Sequence, residues 1–166
     1  MPTDTPPVEV TLEPTFLVAA SRRTVARADL GAFLDLAHGE VRDAVEAAGA
    51  RVVGPAIAWY GHVPDATADV AAAFPVAGLP LGPVTPAGGE PVAPVEVVPL
   101  TGGRCLVTEH VGPHDGVGAS WDRLLARWHA DHGGVGRGDF WEVHRVGRTT
   151  EPDPARWRTR LVLPLG

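Results

Sequence analysis

The sequence predicts an α+β fold built from two copies of a strand, helix, strand, strand unit. Two stretches carry apolar residues at helical spacing, and each ends at a glycine, Gly49 or Gly133. Two stretches rich in β-branched and aromatic residues follow each glycine. Residues 54–60 and 138–144 begin at the same distance after those glycines, so order and spacing repeat together. We therefore predict an antiparallel sheet with two helices on one face and a ligand groove on the other.

The first half of the duplication, residues 15–76, is predicted to contain one helix and three strands. Its first strand covers residues 15–24, where an apolar run leads into polar residues. A helix follows, with Asp29 at the N-cap and Gly49 just past its end. Two further strands complete this half: 51–62 and 69–76.

The middle of the chain and the second half follow the same logic. Residues 77–103 are rich in Pro and Gly, and we interpret them as a crossover that carries an edge strand at 92–98. The second half, residues 104–165, has a helix that is predicted to be capped by Asp115 and to end near Gly133. Its predicted strands are 104–111, 140–146 and 157–165.

Composition limits the classes of function. The chain has 166 residues and a net charge of −6, which argues against a nucleic-acid surface because such surfaces are basic. Its single cysteine suits a reducing compartment, and the first residues lack the pattern of a secretory signal. Prolines interrupt the longest apolar region, 70–84, so it is not a membrane span. We expect a cytoplasmic domain over residues 15–166, after a short extension of residues 1–14.

The strand predicted at Phe140–Val146 contains the strongest functional signal. Because side chains alternate along a strand, Phe140, Glu142 and His144 share one face. A carboxylate on a face that is otherwise apolar must find a partner or take up a proton if it is buried. The alternative is that Glu142 lies on a wetted face or pairs with an arginine. In the duplication, Ala58 and Tyr60 correspond to Glu142 and His144.

These residues and their order resemble the GyrI-like effector-binding family, whose members are also fused to transcription activators of the AraC and MerR types. The resemblance covers residues 16–165 and rests on several segments: 22–25, 54–55, Tyr60, 100–107, 110–115, 121–128, 141–144, 158–159 and 163–165. It implies a saddle-shaped fold with a ligand groove. It also implies that Glu142 contacts cationic aromatic ligands.

Two positions depart from the family pattern. His114 stands where the family has a tyrosine after Gly-Pro, and His144 stands where it has a tyrosine two residues after the glutamate. Replacing two phenols by imidazoles makes the expected site more polar and able to titrate near neutral pH.

We therefore predict a small-molecule-binding protein that senses or sequesters an amphipathic ligand, with Glu142 as its buried polar anchor. It is expected to act without binding nucleic acid or membrane, as a monomer or homodimer. The predicted ligand-binding residues are Glu142, Tyr60, His144, Phe140, Ala58 and His110. The alternative is a hydrolase that opens cyclopropane-bearing genotoxic compounds, with Glu142 as general base beside Tyr60 and His144.

Other residues were assigned structural roles. His110 and His114 are separated by a helix-breaking Gly-Pro, and His129 with His132 lacks a third ligand, so neither pair predicts a metal site. No cofactor is expected, and His110 is open to a packing or capping role. The tryptophans are predicted to pack in the core: Trp59, Trp121, Trp128 and Trp141.

Overall fold

A computed structural model describes residues 4–89 and 94–166 of the chain. The chain divides into two compact units. The N-terminal unit is Pro14–Thr101, and the C-terminal unit combines the residues up to Glu13 with Gly102–Gly166. Each unit contains an antiparallel sheet and one long helix. Within the described ranges, neither helix has the length and apolar character that crossing a bilayer would require.

The elements are the following, in chain order. The helices are α1 (Leu30–Ala47) and α2 (Val117–His132). The strands are β1 (Glu9–Glu13), β2 (Phe16–Ala26), β3 (Ile57–Tyr60), β4 (Thr67–Pro75), β5 (Gly82–Pro83), β6 (Glu96–Leu100), β7 (Gly103–Val111), β8 (Phe140–Val146) and β9 (Arg158–Pro164). The predicted duplication is confirmed, because β2, α1, β3, β4 and β7, α2, β8, β9 have the same order of element types.

The sheet of the N-terminal unit has the strand order β3, β4, β2, β6, β5. Ala19 of β2 lies opposite Phe74 of β4, so both side chains point to the same face. Helix α1 covers this face and buries Val41 and Val45 against them. The apolar stripe of α1 therefore forms the core of this unit, as its helical spacing predicts.

The sheet of the C-terminal unit has the strand order β1, β7, β9, β8. Its register aligns residues across three strands: Glu142 lies opposite Leu161, which in turn lies opposite Thr108. Helix α2 packs on β7 and buries Leu124 fully. This register determines which polar side chains lie on the sheet face that α2 covers.

The helix ends agree with the predictions at the glycines and differ at one cap. Gly49 and Gly133 adopt the left-handed conformation, with φ of 80° and 64°, which a residue without a Cβ adopts at little cost. Asp29 occupies the N-cap position of α1 but makes no side-chain capping hydrogen bond. Asp115 is not the cap of α2: it lies in a 3-10 turn at 114–116, and Gly116 occupies the N-cap. Because of this turn, α2 begins one residue later than it would with Asp115 as its N-cap.

The first 14 residues contain a strand that the sequence analysis did not assign. Strand β1 pairs with the edge of β7, with Thr11 opposite Cys105. Its large apolar side chains face solvent, with Leu12 80% exposed. The strand predicted in the crossover corresponds to β6, although residues 92 and 93 of that prediction lie outside the described ranges. The predicted edge position is wrong, because β5 pairs with β6 on the side away from β2.

Candidate functional site

Glu142 lies on the sheet face that α2 covers. Its carboxylate accepts a hydrogen bond from Trp121 of α2, and Phe140, two residues earlier in β8, meets the same indole edge to face at 4.8 Å. We predicted these side chains on the face away from the helices, and that placement is wrong for this unit. Alternation identifies residues that share a face, but not the face on which a helix packs.

The two oxygens of Glu142 have different environments. The indole Nε1 of Trp121 donates to Oε1 at 2.7 Å, which is a short hydrogen bond. Oε2 lies 3.7 Å from Nε2 of His114, which is beyond hydrogen-bond distance. The Glu142 residue is only 6% exposed, so the carboxylate is held by one indole and faces one imidazole in a largely dry site.

Burial raises the pKa of the Glu142 carboxyl above its ordinary value because desolvation disfavours the charged form. The hydrogen bond from Trp121 and the charges of His114 and His110 act in the opposite direction on this pKa. Some neighbours of Glu142 therefore favour the ionised carboxylate, while burial favours the protonated form. Groups with shifted pKa values occur at functional sites more often than elsewhere in proteins.

His110 supports the turn that carries His114. Its Nδ1 lies 2.9 Å from Ser120 Oγ of α2, and its Nε2 lies 2.8 Å from the carbonyl oxygen of Pro113. A Cβ on Gly116 would approach the His110 ring to 3.1 Å, so glycine at that position leaves room for the imidazole. These contacts favour the packing role that the sequence left open for His110.

His144 lies beside His114, with ring centroids 4.8 Å apart and an angle of 47° between the planes. His144 comes from β8 and His114 from the turn before α2. The ligand atoms of His114, Glu142 and His144 all lie within 4.8 Å of one another. The two positions that depart from the family pattern are thus neighbours around the same carboxylate.

Ala58 and Tyr60, the remaining predicted site residues, are buried in the N-terminal unit. Tyr60 lies opposite Val70, and Ala58 opposite Ala72, which places both on the α1 face of their sheet. Trp59 between them points to the other face, where the Arg22 guanidinium lies 4.7 Å from its ring centroid. Trp59 is only partly buried there, so the prediction that it packs in the core is wrong.

Trp59 and Arg22 line a cavity of about 360 Å³ on that other face of the N-terminal unit. The C-terminal unit has a second cavity, of about 230 Å³, which is lined in part by Arg145 and Arg160. Glu142 lines neither of these two cavities.

Sequence reasoning marked His114 as a departure from the family pattern without counting it among the ligand-binding residues, and it missed Trp121. Trp121 was predicted to pack in the core, yet it is partly exposed and its N–H binds Glu142. The amphipathic spacing of α2 carries no information about the direction of an indole N–H. Trp141 is 2% exposed, as a core residue should be, but it lies on the face opposite Glu142. Trp128 instead donates to the carbonyl oxygen of Val135.

The family of the chain follows from its sequence. A sequence model described as the GyrI-like small molecule binding domain matches residues 6–165. The chain belongs to the GyrI-like family. No curated protein matches it in sequence.

Solved structures share the fold of this GyrI-like domain at low sequence identity. The EcmrR–DNA complex matches with a TM-score of 0.77 and 17% identity over 96% of this chain, which spans 57% of the EcmrR chain. SAV2435 bound to tetraphenylphosphonium matches with a TM-score of 0.67 and 11% identity, over 96% of this chain and 94% of that one. A hydrolase from Listeria innocua has a TM-score of 0.58 and 11% identity, over 96% and 91% of the two chains. These similarities establish the fold.

Proposed function

We propose that this protein senses or sequesters an amphipathic ligand of the cationic aromatic class, with Glu142 as the polar anchor. The observation that carries the proposal is a carboxylate 6% exposed to solvent and flanked by the rings of Trp121 and Phe140. A buried carboxylate attracts a cation strongly because water does not screen the interaction. A delocalised cation is favoured because its own hydration is weak.

The aromatic neighbours add a second source of affinity. A cation over an aromatic face gains about 0.5 to 2 kcal/mol, depending on its desolvation. Trp121 and Phe140 meet edge to face, so their rings present differently oriented surfaces beside the same carboxylate. A cation that carries aromatic rings matches this combination of charge and apolar surface better than a small hydrated ion such as ammonium. His144, which lies beside His114 in the same unit, is a further ligand-binding residue of the proposal.

One comparison supports the class of ligand. SAV2435, which shares the fold, was solved bound to tetraphenylphosphonium, a lipophilic aromatic cation. Tetraphenylphosphonium is therefore the probe that we choose for this protein.

The test is a titration with tetraphenylphosphonium, followed by calorimetry and thermal unfolding. We expect a ligand-induced rise in the melting temperature, because a ligand that binds only the folded state stabilises it. Glu142→Gln keeps the size and the hydrogen-bond acceptor for Trp121 but removes the negative charge. We expect it to weaken binding about tenfold or more, which corresponds to roughly 1.4 kcal/mol.

A matched control distinguishes the effect of the charge at Glu142 on affinity from the effect of the protein's net charge. Glu109→Gln removes one negative charge from β7, on the face opposite Glu142, where Glu109 pairs with Arg158. We expect its affinity to equal that of the wild type. Equal affinities for all three proteins would show that Glu142 is not the anchor.

A second candidate function is hydrolysis of a cyclopropane-bearing substrate. It is favoured by the position of an imidazole, His114, 3.7 Å from the buried carboxylate. Glu142 would take a proton from water, whose oxygen bonds to a ring carbon as the strained carbon–carbon bond breaks. An imidazole would return a proton to the released carbon group, so the product gains one water. Glu142→Gln would then stop formation of the heavier product while substrate still binds.

A further inference from the structure

Three potential metal ligands converge in the C-terminal unit, and the proposed function assigns no metal ion to them. We propose that His114, Glu142 and His144 together bind one divalent transition-metal ion of the Zn²⁺ type. Their ligand atoms lie within 4.8 Å of one another. Two neutral imidazoles and one carboxylate form a donor set that zinc sites use when three protein groups hold the ion.

The distances are close to those that an ion requires. His114 Nε2 and Glu142 Oε2 are 3.7 Å apart. Two ligands at about 2.1 Å from a tetrahedral ion are separated by about 3.4 Å. The side chains therefore need to close by only a fraction of an ångström on this edge, and by about 1.4 Å where the separation approaches 4.8 Å.

A simple ion pair does not account for the arrangement. An imidazole that pairs directly with a carboxylate makes a short charge-assisted hydrogen bond, and 3.7 Å is too long for one. Moreover, His144 approaches from a different element and its ring lies 4.8 Å from the ring of His114. The two imidazoles and the carboxylate therefore bring three ligand atoms within 4.8 Å of one another.

Neighbouring residues hold the ligands in place. Trp121 donates to Oε1 of Glu142, which orients the carboxylate and leaves Oε2 toward His114. His110 links α2 and the turn before it, through Ser120 and the carbonyl oxygen of Pro113. Such outer contacts orient metal ligands and raise their affinity.

The site is also accessible to an ion. The His114 side chain is 49% exposed, whereas that of Glu142 is 8% exposed. An ion can meet His114 at the surface and then pass inward to the carboxylate. Three protein ligands leave a fourth position on the ion for water or for a donor atom of a bound molecule.

The inference does not depend on the proposed function. Metal binding can be measured with no organic ligand present, and tetraphenylphosphonium binding can be measured after a chelator has removed metal. The two binding modes share the charge of Glu142, so Zn²⁺ should compete with the organic cation. The histidines separate them, because only metal binding requires both imidazoles.

The experiment uses the tag-free full chain, stripped of metal with a chelator. Titration with Zn²⁺ should give a stoichiometry of one ion per chain. Substitution with Co²⁺ should give the visible absorption bands of a four-coordinate, tetrahedral ion. We expect His114→Phe and His144→Phe each to weaken Zn²⁺ binding about tenfold or more and to abolish those bands. Glu142→Gln should weaken the binding of both Zn²⁺ and tetraphenylphosphonium.

His129→Phe is the matched control, because it removes an exposed histidine near the end of α2, outside the cluster. It should leave Zn²⁺ affinity unchanged. If the His144→Phe variant fails to fold, the His114→Phe variant tests the metal site instead. The His114 side chain is half exposed, so its replacement should leave the fold intact. Absence of Zn²⁺ binding, or equal binding by the wild type and the histidine variants, would overturn the metal site. Retained tetraphenylphosphonium binding would then leave the proposed function standing.

Discussion

At the scale of single residues, the site depends on how one carboxylate balances opposed surroundings. Burial disfavours the charge of Glu142, while the indole N–H of Trp121 and the nearby imidazoles favour it. Burying an isolated charge costs several kcal/mol of folding free energy. Hydrogen bonding and charge from the polar neighbours offset part of that cost for Glu142. The same neighbours leave Oε2 facing His114 for a further partner.

His38 provides a residue-scale prediction on the pH dependence of stability. Burial lowers its pKa below 6.5, and the charge of Arg42 acts in the same direction. The carbonyl oxygens of Ile57 and Leu34 and the charge of Asp35 oppose this shift. His38 Nε2 lies 2.9 Å from the Ile57 oxygen, and its ring meets Phe74 edge to face. The folded state therefore favours the neutral imidazole.

The sign of the effect follows from proton linkage. The unfolded state binds the proton at higher pH than the folded state, so the contribution of His38 is fully present above pH 6.5. It is lost as the pH falls below 6.5 and through the folded pKa. We expect His38→Gln to reduce the fall in unfolding free energy between about pH 7.5 and pH 5, measured by urea denaturation. The same slope in both proteins would contradict this prediction, since their other histidines are identical.

At the scale of elements, one glycine inside α1 and one just past its end have opposite roles. Gly39 is in the helix interior with open space around the position of a Cβ, whereas Gly49 follows the helix with φ of 80°. Alanine favours a helix interior over glycine but is strained in the left-handed conformation.

We therefore expect substitutions of opposite sign on one helix. Gly39→Ala should stabilise the protein by about 0.5 to 1 kcal/mol, and Gly49→Ala should destabilise it by about 1 to 2 kcal/mol. The free energy of unfolding in urea measures both. Because each change adds one methyl group into open space, packing does not obscure the comparison. A loss of stability in Gly39→Ala would show that the helix interior is constrained by something other than propensity.

We predict that strand β1 shields the thiol of Cys105, which can be measured by its rate of chemical labelling. The thiol is fully buried, and burial raises its pKa to about 11, so the native protein should react slowly with thiol reagents at about pH 8. Thr11 of β1 lies directly opposite Cys105. Removing residues 1–13 should therefore speed labelling of the thiol severalfold, as followed by absorbance of the released reagent.

A shorter truncation controls for the loss of chain length. Removing residues 1–5 leaves β1 intact and should leave the labelling rate unchanged. Circular dichroism checks that both truncated proteins remain folded. Equal labelling rates in the two truncations would show that β1 does not protect Cys105.

At the scale of the whole molecule, the charge balance gives a prediction about partners. The net charge of −6 repels the phosphate backbone, and counterion release needs clustered cations. We expect this chain alone to leave the fluorescence anisotropy of labelled duplex DNA unchanged at about 0.15 M salt. Binding that weakens steeply with added salt would contradict this prediction. The expectation concerns this chain, which spans 57% of EcmrR, and not EcmrR itself.

The features that depend on local chemistry could be predicted from the order of residues along the chain. Helical spacing predicted α1 and α2, alternation predicted β8 with its bounds, and Gly49 and Gly133 marked the helix ends. Each of these depends on residues within a few positions of one another. The repeated order of the elements followed from the same signals, and it agreed with the family that the whole chain matches.

The face on which Glu142 lies and the residues that surround it depend on long-range packing. Alternation defines two faces of β8 but not the one on which α2 packs. The indole N–H of Trp121 and the rings of His114 and His144 reach Glu142 from separate elements, at distances that strand and helix periods do not encode. Long-range packing brings them together, so the candidate metal site appeared only when the chain was folded.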